Sequence, residues 1–306
     1  MSENPGYDVL LFGAYFCDLI VTGLPEPPRL GADLFGTGMG ITAGGTFNVV
    51  RALHRLGLRV GWSCDFGDDL FSQFVLSEVR KEGVDTSLLR LHDHPLRTFS
   101  LSFSFSDDRG FISYIDPVER FPRLPYIEKY RPRCLLLHDL GEWSALQDIA
   151  PAIHRQGGLV CLDCQSTNLE LHTPGLIEAL QAVDVFLPNE REACQLTGAG
   201  SAEQAAEILA QHTPLVVIKL GARGALAQAR DCRILSPALP VTVVDTTGAG
   251  DCFNAGFIYG QLSGNSLAES LKYGNICGGL STTGYGTETT PTQAEVEHIL
   301  KRMESG

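Results

Sequence analysis

The chemistry of this chain is concentrated where Asp245-Thr246-Thr247-Gly248-Ala249-Gly250-Asp251 runs into Cys252-Phe253-Asn254-Ala255-Gly256. Before the glycines, Val241 to Val244 is an apolar run that predicts a strand; after them, Phe253, Phe257, Ile258 and Leu262 recur at helical spacing. Gly248-Ala249-Gly250 is then a turn and a helix start. Small residues there leave the first backbone N–H groups bare, and these donors, with the positive end of the helix dipole, form a seat for an anion such as phosphate. Asp251 stands one residue past the last glycine, so its carboxylate lies beside that anion and can take a proton from an attacking hydroxyl. This is the geometry of phosphoryl transfer. A lone Gly-x-Gly-Asp is more often an ordinary turn with a first-turn acid that suits the dipole; the longer string reverses that balance.

Holding these groups in register requires a frame, and the flanking sequence reads as one. Asp8 to Phe12 is a core strand ending at Gly13. Asp18 follows inside an apolar run, Ala14 to Val21, where an acid is either paired structurally or functional. Gly36-Thr37-Gly38-Met39-Gly40 is flexible strand or loop. It lacks the spacing of a dinucleotide fingerprint, and no helix opens directly behind it. Ala43-Gly44-Gly45-Thr46-Phe47-Asn48 opens a helix with the apolar face Val49, Val50, Leu53 and Leu56, and Asn48 stands at helical spacing from Gly44 and Gly45. Val60 to Cys64 reads as a strand and Asp69 to Glu82 as a helix. His92-Asp93-His94 is read as solvated loop, not a metal site. Thr98 to Ser106 alternates aromatic or aliphatic with hydroxyl side chains, Asp107 to Gly110 turns, and Phe111 to Ile115 returns. That hairpin is either a small sheet standing off the body or the edge of the main sheet.

From Cys134 the alternation is regular, with strands at Cys134 to His138, Leu159 to Asp163, Val183 to Phe186 and Leu215 to Lys219, and helices between them, Ala202 to Gln211 among them. Beyond Asp251, helices run to about Leu262 and from Ser266 to Ser281. Such alternation builds a parallel sheet with helices on both faces, and ligands sit at the strands' C-terminal ends.

At 306 residues the chain can bury a sizeable core, and no apolar stretch approaches the about 20 residues of a membrane helix. The first residues lack the basic and apolar regions of a signal peptide, so the expected location is the cytoplasm, with no membrane partner. A net charge of -13 argues against a nucleic-acid partner. Nine scattered cysteines make no disulfide framework and are expected as free, buried thiols. Cys161 and Cys164 form a C-x-x-C that ends a strand instead of opening a helix, a weak redox signal.

Taken together, Asp245-Thr-Thr-Gly-Ala-Gly-Asp251 and, ahead of it, Gly44-Gly45-Thr46-Phe47-Asn48 resemble the second and first signatures of the ribokinase-like carbohydrate kinases, the PfkB family. The resemblance spans essentially the whole chain. It implies a three-layer α/β/α sandwich with a mostly parallel central sheet, one domain over 1–306, with lid strands inserted at about 15–41 and 97–116. It implies an ATP-dependent transfer of the γ-phosphoryl group to a hydroxyl, by preference a primary one, of a sugar or sugar-like acceptor, with Mg²⁺ bridging the leaving phosphates. Asp251 would be the base, and the amides of Gly248, Ala249, Gly250 and Asp251 the anion hole. Asp18, Gly44, Gly45, Asn48 and Asp163 would hold the acceptor; Asp163, at a strand end, also reads as a buried structural acid.

On the nucleotide side the resemblance implies Asn189, Lys219, Gly221, Gly224 and Asn275, with Glu192 reaching Mg²⁺ through water and the carbonyls of Asp245, Thr247 and Gly286 holding a monovalent cation, K⁺ being the candidate. Asn189 and Glu192 also read as a helix cap with its N3 acid, and Lys219 also as a solvated strand-end lysine where the family often has Thr or Ser. Where the family frequently has Asp-x-Asn-x-Arg, this chain reads Asp163-Cys164-Gln165-Ser166-Thr167, and the missing Arg weakens the case for a sugar-acid or phosphosugar acceptor. A homodimer through the lid sheet is implied as well. A nucleoside kinase of the same superfamily is the neighbouring alternative. A non-catalytic sugar-binding regulator is the rival from another class, against which the intact Asp251 and its glycines speak. The absence of Gly-x-x-x-x-Gly-Lys-[Ser/Thr] excludes a P-loop kinase.

Overall fold

The computed structural model describes residues 6–105, 108–119, 122–165 and 168–305; the expected strand end at Ser106, the turn residue Asp107, and Ser166 and Thr167 lie outside them. In chain order the first half contains β1 (Val9–Phe12), β2 (Tyr15–Leu24), β3 (Gly38–Gly45), α1 (Thr46–Arg55), β4 (Val60–Ser63), β5 (Asp65–Phe66), α2 (Leu70–Glu82), β6 (Arg90–Leu91), β7 (Thr98–Phe105), β8 (Asp108–Ile115) and α3 (Arg123–Tyr130). The second half contains β9 (Cys134–Leu137), α4 (Leu146–His154), β10 (Leu159–Asp163), α5 (Leu176–Gln181), β11 (Val185–Leu187), α6 (Glu190–Thr197), α7 (Ala202–Leu209), β12 (Leu215–Lys219), β13 (Ala225–Ala229), β14 (Arg233–Ser236), α8 (Ala249–Leu262), α9 (Leu267–Ser281) and α10 (Gln293–Ser305).

The main sheet has eight strands in the order β14-β13-β12-β11-β10-β9-β1-β4. The strands from β12 to β4 are parallel, and β13 and β14 extend the edge antiparallel. Its central strands are apolar on both faces because both are covered. Val9 and Leu11 of β1 enter one core with α1, α8 and α9, while Leu10 and Phe12 enter the other with Ile127, Ile149 and Leu176. The resulting layer order is helix, sheet, helix. Helices α8 and α9 approach closely because small residues line their contact: a Cβ on Gly256 would fall 2.5 Å from the Tyr273 carbonyl. Among the described residues no helix is long and apolar enough to cross a membrane.

The hairpin belongs to a separate four-stranded sheet, β3-β2-β7-β8, not to the edge of the main one. Two other expectations are corrected. Val241 to Val244 is not a strand: Val243 and Val244 are exposed, and the segment is tied down by Val244 N and Asp245 N donating to the Thr282 carbonyl. Without a neighbouring strand, an apolar run has no ladder to join. Ala43 to Gly45 ends β3 and does not open the helix, which begins at Thr46. In the His92-Asp93-His94 loop Asp93 and His94 are exposed, and the partly exposed His92 sets its Nε2 2.7 Å from Asp65 Oδ1. All nine cysteines are free; Cys161 packs on Cys134 of the adjacent strand, not on Cys164.

Candidate active site

The start of α8 is capped by Gly248, whose φ of 74° is open to glycine at little cost. Ala249 N donates to the Thr246 carbonyl and Cys252 N to the Gly248 carbonyl, and Gly250 and Asp251 carry the amides of the first turn between them. The seat for an anion is therefore present at the helix end. The loop before it is braced by Asp245, whose Oδ1 accepts from Thr247 N and Oγ1 and whose Oδ2 accepts from Gly286 N at 2.9 Å. That side chain fastens together the three residues expected to offer carbonyls to a monovalent cation.

Asp251 points from the first turn of α8 into a polar cluster. Its Oδ2 accepts from Asn48 Nδ2 at 3.1 Å, and its Oδ1 lies 2.7 Å from His138 Nε2. Asn48 is oriented in turn: its Oδ1 accepts from Thr287 Oγ1, which accepts from the buried Arg51. The first and second signatures thus meet through direct hydrogen bonds. Burial presses the Asp251 carboxyl toward its neutral form, yet the charge and hydrogen bond of His138, helped by Asn48 and Lys219, hold it below the usual carboxylate range. For His138, burial opposes the charge, but Asp251 and then Asp163 carry its pKa up to about 9.

Asp18 lies on β2 facing the same cleft. A Cβ at Gly44 would fall 1.9 Å from Asp18 Oδ2, which accounts for glycine at that position. Burial, with the nearby charges of Asp251 and Asp245, pushes the Asp18 carboxyl up to about 7. Gly45 adopts φ 65°, letting the chain turn from β3 into α1. Asp18, Gly44, Asn48 and Asp251 therefore converge.

Asp163 is placed differently from a group free to grip an acceptor. Its Oδ1 accepts from Lys219 Nζ at 2.7 Å and from Cys164 N, and its Oδ2 accepts from Asn254 Nδ2 at 2.8 Å. Lys219 Nζ also reaches Asn254 Oδ1 at 3.3 Å, and it lies 3.6 Å from the point where a Cβ on Gly250 would stand. Lys219 is thus largely enclosed and paired, and its ammonium sits under the anion seat; burial opposes the charge, while Asp163 and Glu192 sustain it. His138, Asp163 and Asp251 bring ligand atoms within 4.8 Å of one another, and the Lys219 ammonium already supplies a cation to that cluster.

On the other side of Lys219, Asn189 and Glu192 form a capping box at the start of α6: Glu192 N donates to Asn189 Oδ1, and Asn189 N to Glu192 Oε2. Burial pushes the Glu192 carboxyl up to about 7. Gly221 and Gly224 bracket the turn after β12, Gly224 passing so close to Ser236 that a Cβ would meet its carbonyl at 2.0 Å. Asn275 donates to Ser236 O and Oγ, tying α9 to the same strand end. The expected nucleotide-side residues therefore line up along the ends of β12 and β14. Sequence reasoning did not assign His138, Gln165 or Asn254. His138 was legible only as the end of a strand pointing at the ligand-bearing edge, and Asn254 only as part of the signature string.

A profile described as pfkB family carbohydrate kinase matches residues 35–294. The chain is similar to ribokinase from Bacillus subtilis, 27% identical over 96% of this chain and 99% of that protein. It is also similar to aminoimidazole riboside kinase from Salmonella typhimurium, 30% identical over 80% of this chain and 83% of that protein. Among solved structures, ribokinase from Arabidopsis thaliana complexed with ribose and ATP superposes with a TM-score of 0.82 at 22% identity, covering 97% of this chain and 99% of that one.

Proposed function

The chain belongs to the pfkB family of carbohydrate kinases, and from the geometry of its site we propose how it transfers the γ-phosphoryl group of ATP to a hydroxyl of a sugar or sugar-like acceptor. The observation that carries the reading is Asp251 in the first turn of α8, beside the helix N-terminus and held by hydrogen bonds to Asn48 and His138. The acceptor is held by Asp18, Asn48 and the glycine backbone at 44 and 45, with a hydroxyl, by preference primary, at Asp251. Asp251 orients that hydroxyl and takes its proton as the oxygen attacks the γ-phosphorus. The N-terminal end of α8, with the amides of Gly250 and Asp251, and the Lys219 ammonium stabilise charge on the migrating group. Asp163 serves this arrangement by holding Lys219, with Asn254, under the phosphate.

Nucleotide binds along the ends of β12 and β14, past Gly221, Gly224 and Asn275. Glu192 spends Oε2 on its cap and keeps Oε1 for a hydrated Mg²⁺; that ion, when bound, supplies charge neutralisation to the leaving phosphates. The braced carbonyls of Asp245, Thr247 and Gly286 suit K⁺. The enzyme works in the cytoplasm, where ATP is supplied, as a homodimer through the β3-β2-β7-β8 sheet. A nucleoside-like acceptor is the second reading, favoured by the similarity to aminoimidazole riboside kinase.

An ADP-release assay over ribose, fructose, keto-deoxysugar acids and nucleosides tests the activity and separates these acceptors. With the best of them, Asp251→Asn lowers kcat by about 10²–10⁴-fold while calorimetry shows acceptor binding nearly unchanged. A fully active variant would mean that another group accepts the proton.

A further inference from the structure

We propose that His138 is a positioning residue for phosphoryl transfer: its Nε2–H fixes the Asp251 carboxylate in the orientation that meets the acceptor hydroxyl and keeps that carboxylate unprotonated. The assignment rests on the reading of Asp251 as the base.

His138 follows directly on β9, a strand buried between β1 and β10, and its side chain is itself buried. Both ring nitrogens are engaged: Nε2 lies 2.7 Å from Asp251 Oδ1, and Nδ1 lies 2.8 Å from Gln165 Nε2 on the loop after β10. With the Gln165 amide donating to Nδ1, the ring carries its proton on Nε2 and donates it to Asp251. An imidazolium donates from both nitrogens, so the amide turns its oxygen to Nδ1 when the ring charges. In either state the bond to Asp251 runs the same way.

That bond matters because Asp251 has few other reasons to stay ionised. It is only partly exposed, and Asp18 lies close enough to raise its own pKa against it. Asn48 holds one carboxylate oxygen and His138 the other, so the carboxylate cannot rotate without losing both donors, and one lone pair on each oxygen is left for the cleft. His138 does not receive the acceptor's proton, since Nε2 already carries one. The proton passes from the acceptor to Asp251 as the O–P bond forms. The charged groups facing the imidazole are Asp251 from α8, Asp163 from β10 and Lys219 from β12; the two carboxylates favour its protonated form and the ammonium opposes it.

The test compares His138→Gln, whose amide nitrogen can take the place of Nε2, with His138→Met and His138→Asn, which fill space but leave no donor in reach of Asp251. Steady-state kinetics at saturating ATP and acceptor are followed across pH. The donorless variants should lose about 10- to 100-fold in kcat, as expected for removing a hydrogen bond to a charged group, with KM for ATP unchanged. Their acidic limb of kcat should move to higher pH. His138→Gln should recover most of kcat and return the limb toward that of the wild type. A donorless variant with wild-type kcat and an unmoved limb overturns the proposal, and so does a folded His138→Gln no better than Met or Asn. If Asp251→Asn retains full activity, the fault lies with the base assignment instead, which separates the two failures.

Discussion

At the scale of single residues, the site sets carboxylates against one another under partial burial, and their pKa values diverge as a result. Asp251 is held ionised by donors, while Asp18, with its charge opposed by burial and by Asp251 and Asp245, titrates at about 7. On the proposed reading acceptor hydroxyls donate to Asp18, so the ionised form is the one that would bind. Below its pKa the carboxyl is neutral and the grip weakens. At saturating ATP, kcat/KM for the acceptor should therefore fall as pH drops through about 7, and Asp18→Asn should flatten that limb while lowering the plateau. A limb that survives in Asp18→Asn would assign the titration to another group.

At the scale of elements, the N-terminus of α8 is where glycine serves two different ends. Gly248 holds φ 74°, and a Cβ there would lie 2.4 Å from Thr287 Cγ2 and 3.1 Å from Asn48 Nδ2. Gly248→Ala should cost about 1–3 kcal/mol of stability, read by urea unfolding, and should disturb Asn48. Gly250 is helical, and its nearest neighbours would be atoms of Lys219 at 3.6 Å or more. Gly250→Ala should leave stability equal or raise it by about 0.5–1 kcal/mol, yet lower kcat, because the methyl group would stand between the amides and the ammonium that, on the proposed reading, share the phosphate. Equal losses of stability in both variants would contradict this division.

At the scale of the whole molecule, the four-stranded sheet has two unlike faces. Asp18 is paired with Thr42 and Ser100, and Ser100 with Ser113, on the face toward the cleft. Leu19 is paired with Ile41 and Leu101, and Leu101 with Ile112, on the other. Near the body that second face packs on α2 through Phe71 and Phe99. Farther out Met39 is 79% exposed and Ile112 57%, a contiguous apolar surface of the kind that association covers. Light scattering at micromolar concentration should give a dimer, and Ile41→Glu with Ile112→Glu a monomer; a monomeric wild type would contradict the assembly.

What the sequence by itself determined is what depends on neighbours along the chain. Turn glycines, the period of α1, α2, α8 and α9, the alternation of β7 and the apolar strands of the parallel sheet are local properties, and so are the two signature strings. Tertiary structure decided which polar groups meet. His138 reaches Asp251 across 113 residues and Asn48 reaches it across 203; Asp163 is claimed by Lys219 and Asn254, and Val241 to Val244 is left without a strand to pair with. Parallel crossovers bring distant strand ends to one edge, and a buried polar side chain takes whichever partner that topology delivers. Spacing along the chain shows that such a group exists, and the packed sheet alone assigns its partner.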